Sequence, residues 1–183
     1  MAFKPLGRVE IGAEAPDFAL PSAAGAPVRL SALRGRVVVL EWTGPACPFT
    51  ARKYADGSAQ RLQRDARAAG VRWVLIDTAA RGRPGWLSPA AARERLARLR
   101  SPADAFLLDE TGDVGRLYGA KTTPSFYVVG KYGRLLYQGA ADADAFATGR
   151  ASLAYVRDAL DDLAAGRAVR RPETRPYGCA VEY

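Results

Sequence analysis

The sequence predicts an α/β fold, a central mixed sheet flanked by helices, with a short N-terminal β-hairpin and a C-terminal tail. Three observations carry this expectation. Strand-like apolar runs alternate with helix-period segments through the middle of the chain. Residues 37–42, Val-Val-Val-Leu-Glu-Trp, are apolar almost without a break, as in a strand covered on both faces. Residues 125–129 and 135–137 read as two strands joined by Gly130-Lys-Tyr-Gly133, a hairpin that adds antiparallel neighbours to a parallel set.

Taken in order, residues 17–20 and 28–30 are two short strands around the turn Ser22-Ala-Ala-Gly-Ala-Pro27. The strand at 37–42 leads into one helix expected over 47–69. A second buried strand at 71–77 precedes a helix over 89–100, a strand at 105–108 and a short helix over 113–118. After the hairpin, Leu153, Val156, Leu160 and Leu163 line one face of a last helix, which Gly166 is placed to end. A tail, 167–183, remains. Behind a small hairpin, strands and helices alternate and an antiparallel hairpin precedes the last helix, an order that matches the thioredoxin architecture. The length of 183 residues suits one domain, 1–183, with its core over about 11–166.

Composition narrows the chemistry. The chain has no histidine, which removes Ser-His-Asp and Cys-His catalysis and the commonest metal ligand. Its two cysteines allow neither a four-cysteine zinc site nor a disulfide framework, so no metal and no cofactor is expected. The net charge of +8 comes almost wholly from arginine. The densest cluster, Arg93, Arg95, Arg98 and Arg100, is spread around a helix, contains Glu94 and has no interleaved aromatics, so nucleic acid is not an expected partner. No run approaches the roughly 18 apolar residues of a membrane span, and no membrane partner is expected. The start, Met-Ala-Phe-Lys-Pro-Leu-Gly-Arg, lacks the apolar core of a secretory signal, which favours a cytoplasmic location. Removal of a leader would instead make the chain periplasmic or secreted.

Thiol chemistry centres on Cys47. Glu41-Trp-Thr-Gly-Pro-Ala-Cys-Pro-Phe-Thr50 reads as a strand, a tight loop and a helix start, with Cys47 at the positive helix end and Pro48 at the first helical position. Unpaired helix amides there stabilise a thiolate and lower a cysteine pKa from near 8.5. The plainer alternative is a buried cysteine acting as a small apolar residue. Thr50 stands where a C-x-x-C motif would carry its second thiol. Its hydroxyl can hydrogen-bond a thiolate but cannot resolve a mixed disulfide, and it can equally be an ordinary helix residue. Glu41 interrupts an apolar strand six residues before Cys47. Such a carboxyl either shuttles a proton to the thiol or reaches solvent or an arginine at the strand's end.

Thr123-Pro124 enters the strand at 125–129, where a proline cannot join the ladder. A cis bond would solve that geometry, and in a thioredoxin fold this loop faces the active cysteine and pairs with an incoming peptide. Thr123, Pro124, Thr50 and Trp42 are accordingly the expected substrate contacts. Cys179, in Arg175-Pro-Tyr-Gly-Cys-Ala-Val-Glu-Tyr183, is either the thiol that resolves Cys47 or a core cysteine anchoring the tail.

These residues resemble a known group. Gly12-x-x-Ala-Pro-Asp-Phe18, the Cys47 loop and Thr122-Thr-Pro124 are similar to the redoxin branch of the thioredoxin superfamily, grouped with peroxiredoxin-like, alkyl hydroperoxide reductase/thiol-specific antioxidant proteins. More narrowly, Glu41-Trp-Thr-x-Pro-x-Cys-Pro-Phe49 and Arg175-Pro-Tyr-Gly-Cys179 resemble a subgroup with one active-loop cysteine and a terminal Gly-Cys. The resemblance implies an antioxidant or disulfide-exchange activity in which Cys47 is the nucleophile, Glu41 the buried acid beneath it and Pro124 the cis-proline. Gly44 and Ala46 depart from the subgroup, where polar side chains are usual. The peroxiredoxin pattern Pro-x-x-x-Thr-x-x-Cys is also missing, with Leu40 and Gly44 at its determining positions.

Three functions therefore compete. The first is a thiol–disulfide oxidoreductase acting on protein or small-molecule disulfides with an external thiol reductant. The second is a thiol peroxidase that forms a sulfenic acid on Cys47 and condenses it with Cys179. The third is a redox-inactive module that binds a partner across the cis-proline surface.

Overall fold

The computed structural model describes residues 7–145 and 152–183; the first six residues, read above for a leader, lie outside them. Strands β1 (Ala19–Leu20) and β2 (Val28–Arg29) pair antiparallel, and a 3-10 turn at Leu30–Leu33 follows. The central strand β3 (Val38–Thr43) then runs into the first helices, α1 (Pro48–Ala55) and α2 (Ser58–Ala68). The single helix expected over 47–69 is thus two. The break falls at Gly57, whose φ of +79° suits glycine and ends helical geometry, while the Asp56 carboxylate accepts from the Ser58 amide.

Next come β4 (Arg72–Asp77), α3 (Pro89–Arg98), β5 (Ala105–Leu108), α4 (Asp113–Tyr118), β6 (Thr122–Thr123), β7 (Ser125–Val129), β8 (Leu135–Gly139), α5 (Ala154–Ala164) and β9 (Cys179–Ala180). The five-stranded sheet has the order β5-β4-β3-β7-β8. Strands β3, β4 and β5 are parallel, whereas β7 and β8 run antiparallel to their neighbours. This is the mixed α/β sheet expected from the alternation of elements.

Strand periodicity divides the core into two layers. Val39, Trp73, Leu75, Phe126 and Val128 face one side, packed with Leu62 and Ala66 of α2, Ala92 of α3 and Val156 and Leu160 of α5. Val38, Leu40, Trp42, Val74, Ile76 and Leu107 face the other, covered by Phe18, Leu20, Leu30 and, from α4, Val114 and Tyr118. Every residue of β3 is buried, which accounts for its unbroken apolar run. The parallel strands β3 and β4 end side by side, with Thr43 in register with Asp77, and the loops that leave them form the rim of the site. No described helix is long and apolar enough to cross a membrane.

Candidate active site

Strand β3 delivers the chain to Gly44-Pro45-Ala46, and Cys47 caps α1 with extended backbone angles, φ −79° and ψ 117°, ahead of Pro48 at the first helical position. The cysteine therefore sits where unpaired amides and the helix dipole favour negative charge. Close packing explains Gly44, where the subgroup resemblance anticipates a polar side chain. A Cβ there would lie 2.9 Å from Thr123 Oγ1 and 3.4 Å from Cys47 Cβ.

The Thr123-Pro124 peptide is cis. It turns the Thr123 carbonyl toward the cysteine, leaving its oxygen 3.1 Å from Cys47 Sγ. The tail returns to the same place. Strand β9 pairs antiparallel with β6, setting Cys179 opposite Thr123, and Cys47 and Cys179 are joined in a disulfide across 132 residues with a Cα–Cα distance of 5.9 Å. The backbone edge beside the cis-proline, expected to receive an incoming peptide, is filled by the chain's own tail.

Contacts besides the disulfide hold that tail. Tyr177 Oη donates to Asp142 and accepts from Lys53 Nζ at 2.9 Å, while its ring meets Phe49 edge-on at 5.8 Å between centroids. Lys53 and Asp142 form an ion pair in which both side chains are almost fully buried. Thr174 Oγ1 accepts from the Ala140 amide at 2.9 Å, Glu182 accepts from the Gly85 amide at 2.7 Å, and Tyr183 donates to the Ala120 carbonyl. Gly178, with φ +137°, passes against the Thr123 carbonyl, where a side chain would overlap it.

Cys47, Cys179, Thr123 and Pro124 thus converge, but the other expected site residues are elsewhere. Glu41 is fully buried, and its carboxyl accepts from Trp73 Nε1 at 2.8 Å and Tyr54 Oη at 3.0 Å, with Gln63 Nε2 at 3.5 Å. None of these bonds goes to Cys47, and among the described residues no arginine pairs with this fully buried group. Burial, only partly offset by the donated bonds, pushes its carboxyl up to about 7. Trp42 is not among the residues lining the pocket at the disulfide. Its position in β3 turns it into the second core layer, between Tyr118 and Tyr127, where Nε1 donates to Thr78 Oγ1 at 3.1 Å. Thr50 is equally enclosed in α1, and its hydroxyl has no hydrogen-bond partner among the described residues, so in this disulfide state it does not hold the Cys47 sulfur.

A pocket of about 110 Å³ opens at the disulfide, lined by both cysteines, the loop 43–46, Thr123, residues 77–79 and Glu182. Two buried polar groups in its wall escaped the reading of the sequence. Thr43 has a hydroxyl with no hydrogen-bond partner among the described residues. Asp77 is 4% exposed, and its carboxylate accepts no hydrogen bond among the described residues. Desolvation and the negative charge of Glu182 push its carboxyl up to about 7, against the pull of Arg95. The signal for Asp77 was the one used for Glu41, a carboxylate in an apolar strand.

Comparisons with known proteins agree with this geometry. The model of the AhpC/TSA family matches residues 11–138. No curated protein matches the chain in sequence. Among solved structures, an uncharacterised conserved protein from Geobacillus kaustophilus is 27% identical, with a TM-score of 0.87 over 100% of this chain and 97% of that one. A hypothetical protein from Sinorhizobium meliloti shares the fold at 22% identity and a TM-score of 0.85, over 97% of each chain. A Chlorobium tepidum protein described as a thiol:disulfide interchange protein, DsbE, is 29% identical, with a TM-score of 0.57 over 71% of this chain and 84% of that one. A thioredoxin-like sheet, a cysteine capping α1 opposite a cis-proline and this family match lead to one conclusion: the chain belongs to the AhpC/TSA family.

Proposed function

We propose that the chain is a thiol–disulfide oxidoreductase in which Cys47 attacks a substrate disulfide and Cys179 resolves the resulting mixed disulfide. The observation that carries this reading is the pairing of Cys47 with Cys179, brought together by the β6–β9 register and by tail contacts that do not depend on the bond. A cysteine merely anchoring the tail would not need to meet the one cysteine that caps a helix beside a cis-proline. The likeness to the DsbE-type interchange protein supports the same chemistry.

The cycle follows from position. With both cysteines reduced, the Cys47 thiolate attacks one sulfur of the substrate, whose second sulfur leaves as thiolate. Cys179 then attacks Cys47 Sγ, expels the remaining substrate thiolate and closes the disulfide. To reset, an external thiolate meets Cys179 first, because Cys47 is 3% exposed and Cys179 is only half-buried. The bond breaks toward Cys47, whose departing charge the α1 amides stabilise, and a low-pKa thiolate is the better leaving group. A second external thiol completes the reduction.

The test compares the native protein with Cys47→Ser and Cys179→Ser. Turnover of a model disulfide by the native chain, loss in Cys47→Ser, and accumulation of a covalent adduct on Cys47 in Cys179→Ser are expected. Hydroperoxide turnover well above disulfide turnover would transfer the chain to the peroxidase reading. A Cys47 that alkylates like a free thiol, with an apparent pKa above about 8, would favour the binding module.

A further inference from the structure

We propose that Asp77 is the base that takes the proton from Cys179 as that thiol closes on a disulfide held at Cys47. This rests on the exchange cycle above and assigns the proton step that the cycle leaves open.

The two cysteines differ in what they need. Cys47 caps a helix and carries its charge on the helix amides, whereas Cys179 lies in a two-residue strand and is not itself a helix cap. An unassisted thiol with a pKa near 8.5 is only about 3% ionised at pH 7, so a base that supplies the full thiolate is worth up to about 30-fold in rate. Glu41 is poorly placed for that task. Its oxygens are occupied by Trp73, Tyr54 and Gln63, and it is not among the residues lining the pocket at the disulfide.

Asp77 meets the requirement. It stands at the end of β4, in the same pocket wall as both cysteines, buried, with no donor occupying its carboxylate. The chain has no histidine to serve instead. The charged groups facing it are Glu182 from the tail and Asp109 beyond β5, which favour its acid form, and Arg95 from α3, which opposes them. Together with burial they hold its titration at about 7, where a carboxylate both exists and is basic enough to accept a thiol proton. The step balances. Cys179–SH, the Asp77 carboxylate and the Cys47–S–S–R mixed disulfide give the Cys47–Cys179 disulfide, Asp77 as carboxylic acid and RS⁻. A sulfur–sulfur bond forms as another breaks, and the substrate sulfur leaves with the electron pair.

Stopped-flow oxidation of the reduced full-length protein by dithiodipyridine separates the steps. The first coloured thiol is released when Cys47 attacks, and the second when Cys179 resolves. In the native chain the second phase should accelerate through an inflection near pH 7. In Asp77→Asn it should slow by about tenfold or more at pH 7 and rise only as the thiol itself ionises, near pH 8.5. In Glu182→Gln, which removes a like charge, the inflection should move to lower pH, and this variant decides the matter where Asp77→Asn does not fold. An inflection near pH 7 retained in Asp77→Asn, or unmoved in Glu182→Gln, overturns the assignment while the exchange cycle stands. Absence of a first phase in the native chain overturns the cycle, and this assignment with it.

Discussion

Glu41→Gln isolates the cost of keeping a carboxyl in the middle of the core. Glu41 is completely buried, and its titration is raised from 4.5 to about 7, chiefly by desolvation. An acid with a raised folded pKa contributes its full stability below its unfolded value and loses it as pH rises through the folded value. The loss therefore runs from about pH 4.5 to just above pH 7. At about 1.4 kcal/mol per unit, the shift corresponds to about 3 kcal/mol of stability at pH 8, relative to a neutral group in the same place. Glutamine has nearly the same shape. Its oxygen can still accept from Trp73, and its amide can donate to the Tyr54 oxygen, so the hydrogen-bonded cluster survives with one partner exchanged.

The measurement is urea unfolding of native and Glu41→Gln proteins, disulfide intact, at several pH values from 5 to 8.5. At pH 5 the two should agree within about 1 kcal/mol. By pH 8 the variant should be the more stable by about 2–3 kcal/mol, with unchanged dependence on urea. Asp77 titrates in the same range but is present in both proteins, so it cancels in the difference. A stability difference that stays constant across this pH range would show that Glu41 does not gain or lose its proton there, and the desolvation argument would fail.

Other perturbations follow from the same packing. Trp73→Phe removes a donor that holds the Glu41 titration down, so the midpoint of the stability profile should move above pH 7 in the same melts, alongside a general loss of about 1–3 kcal/mol. Lys53→Met removes the counter-charge of the buried Asp142, leaving Tyr177, Ser152 and the Asp144 amide as its neutral donors among the described residues, and should cost about 3–5 kcal/mol in urea unfolding. Adding Asp142→Asn should recover part of that loss. Gly178→Ala puts a side chain against the Thr123 carbonyl at φ +137°, so β9 should lift from β6. Formation of the Cys47–Cys179 bond after mild oxidation, followed by free-thiol counting, should then slow markedly.

Much of the fold was written in local patterns. The unbroken apolar run of β3 and the turn Gly130-Lys-Tyr-Gly133 each point to one geometry, and the structure has it. The Cys47 loop was legible for a similar reason, because a strand, a short loop and Cys-Pro at a helix start are contiguous. The split between α1 and α2 was less visible. Gly57 is an isolated glycine in a helical pattern, and its cost is overridden or not according to how α2 packs on the sheet. The tail lay further out of reach. Its strand β9 is two residues long, without periodicity, and its partner Thr123 precedes it by 56 positions in the chain.

Glu41 and Asp77 show where reading a strand one residue at a time reaches its limit. Both are carboxylates in apolar strands, both lie on the sheet face that packs against α2 and α3, and burial raises both to about 7. Position along the strand separates them. Glu41 lies two residues inside the end of β3, beneath helix α1 and α2, where Tyr54 and Gln63 are close enough to satisfy it. Asp77 is the last residue of β4, and among the described residues no helical side chain donates a hydrogen bond to it, although Arg95 of α3 faces it; the returning tail brings Glu182 and Cys179 into the same pocket. The strand pattern marks both as costly. Only the layer above each of them decides whether the cost is offset by hydrogen bonds or left available for proton transfer.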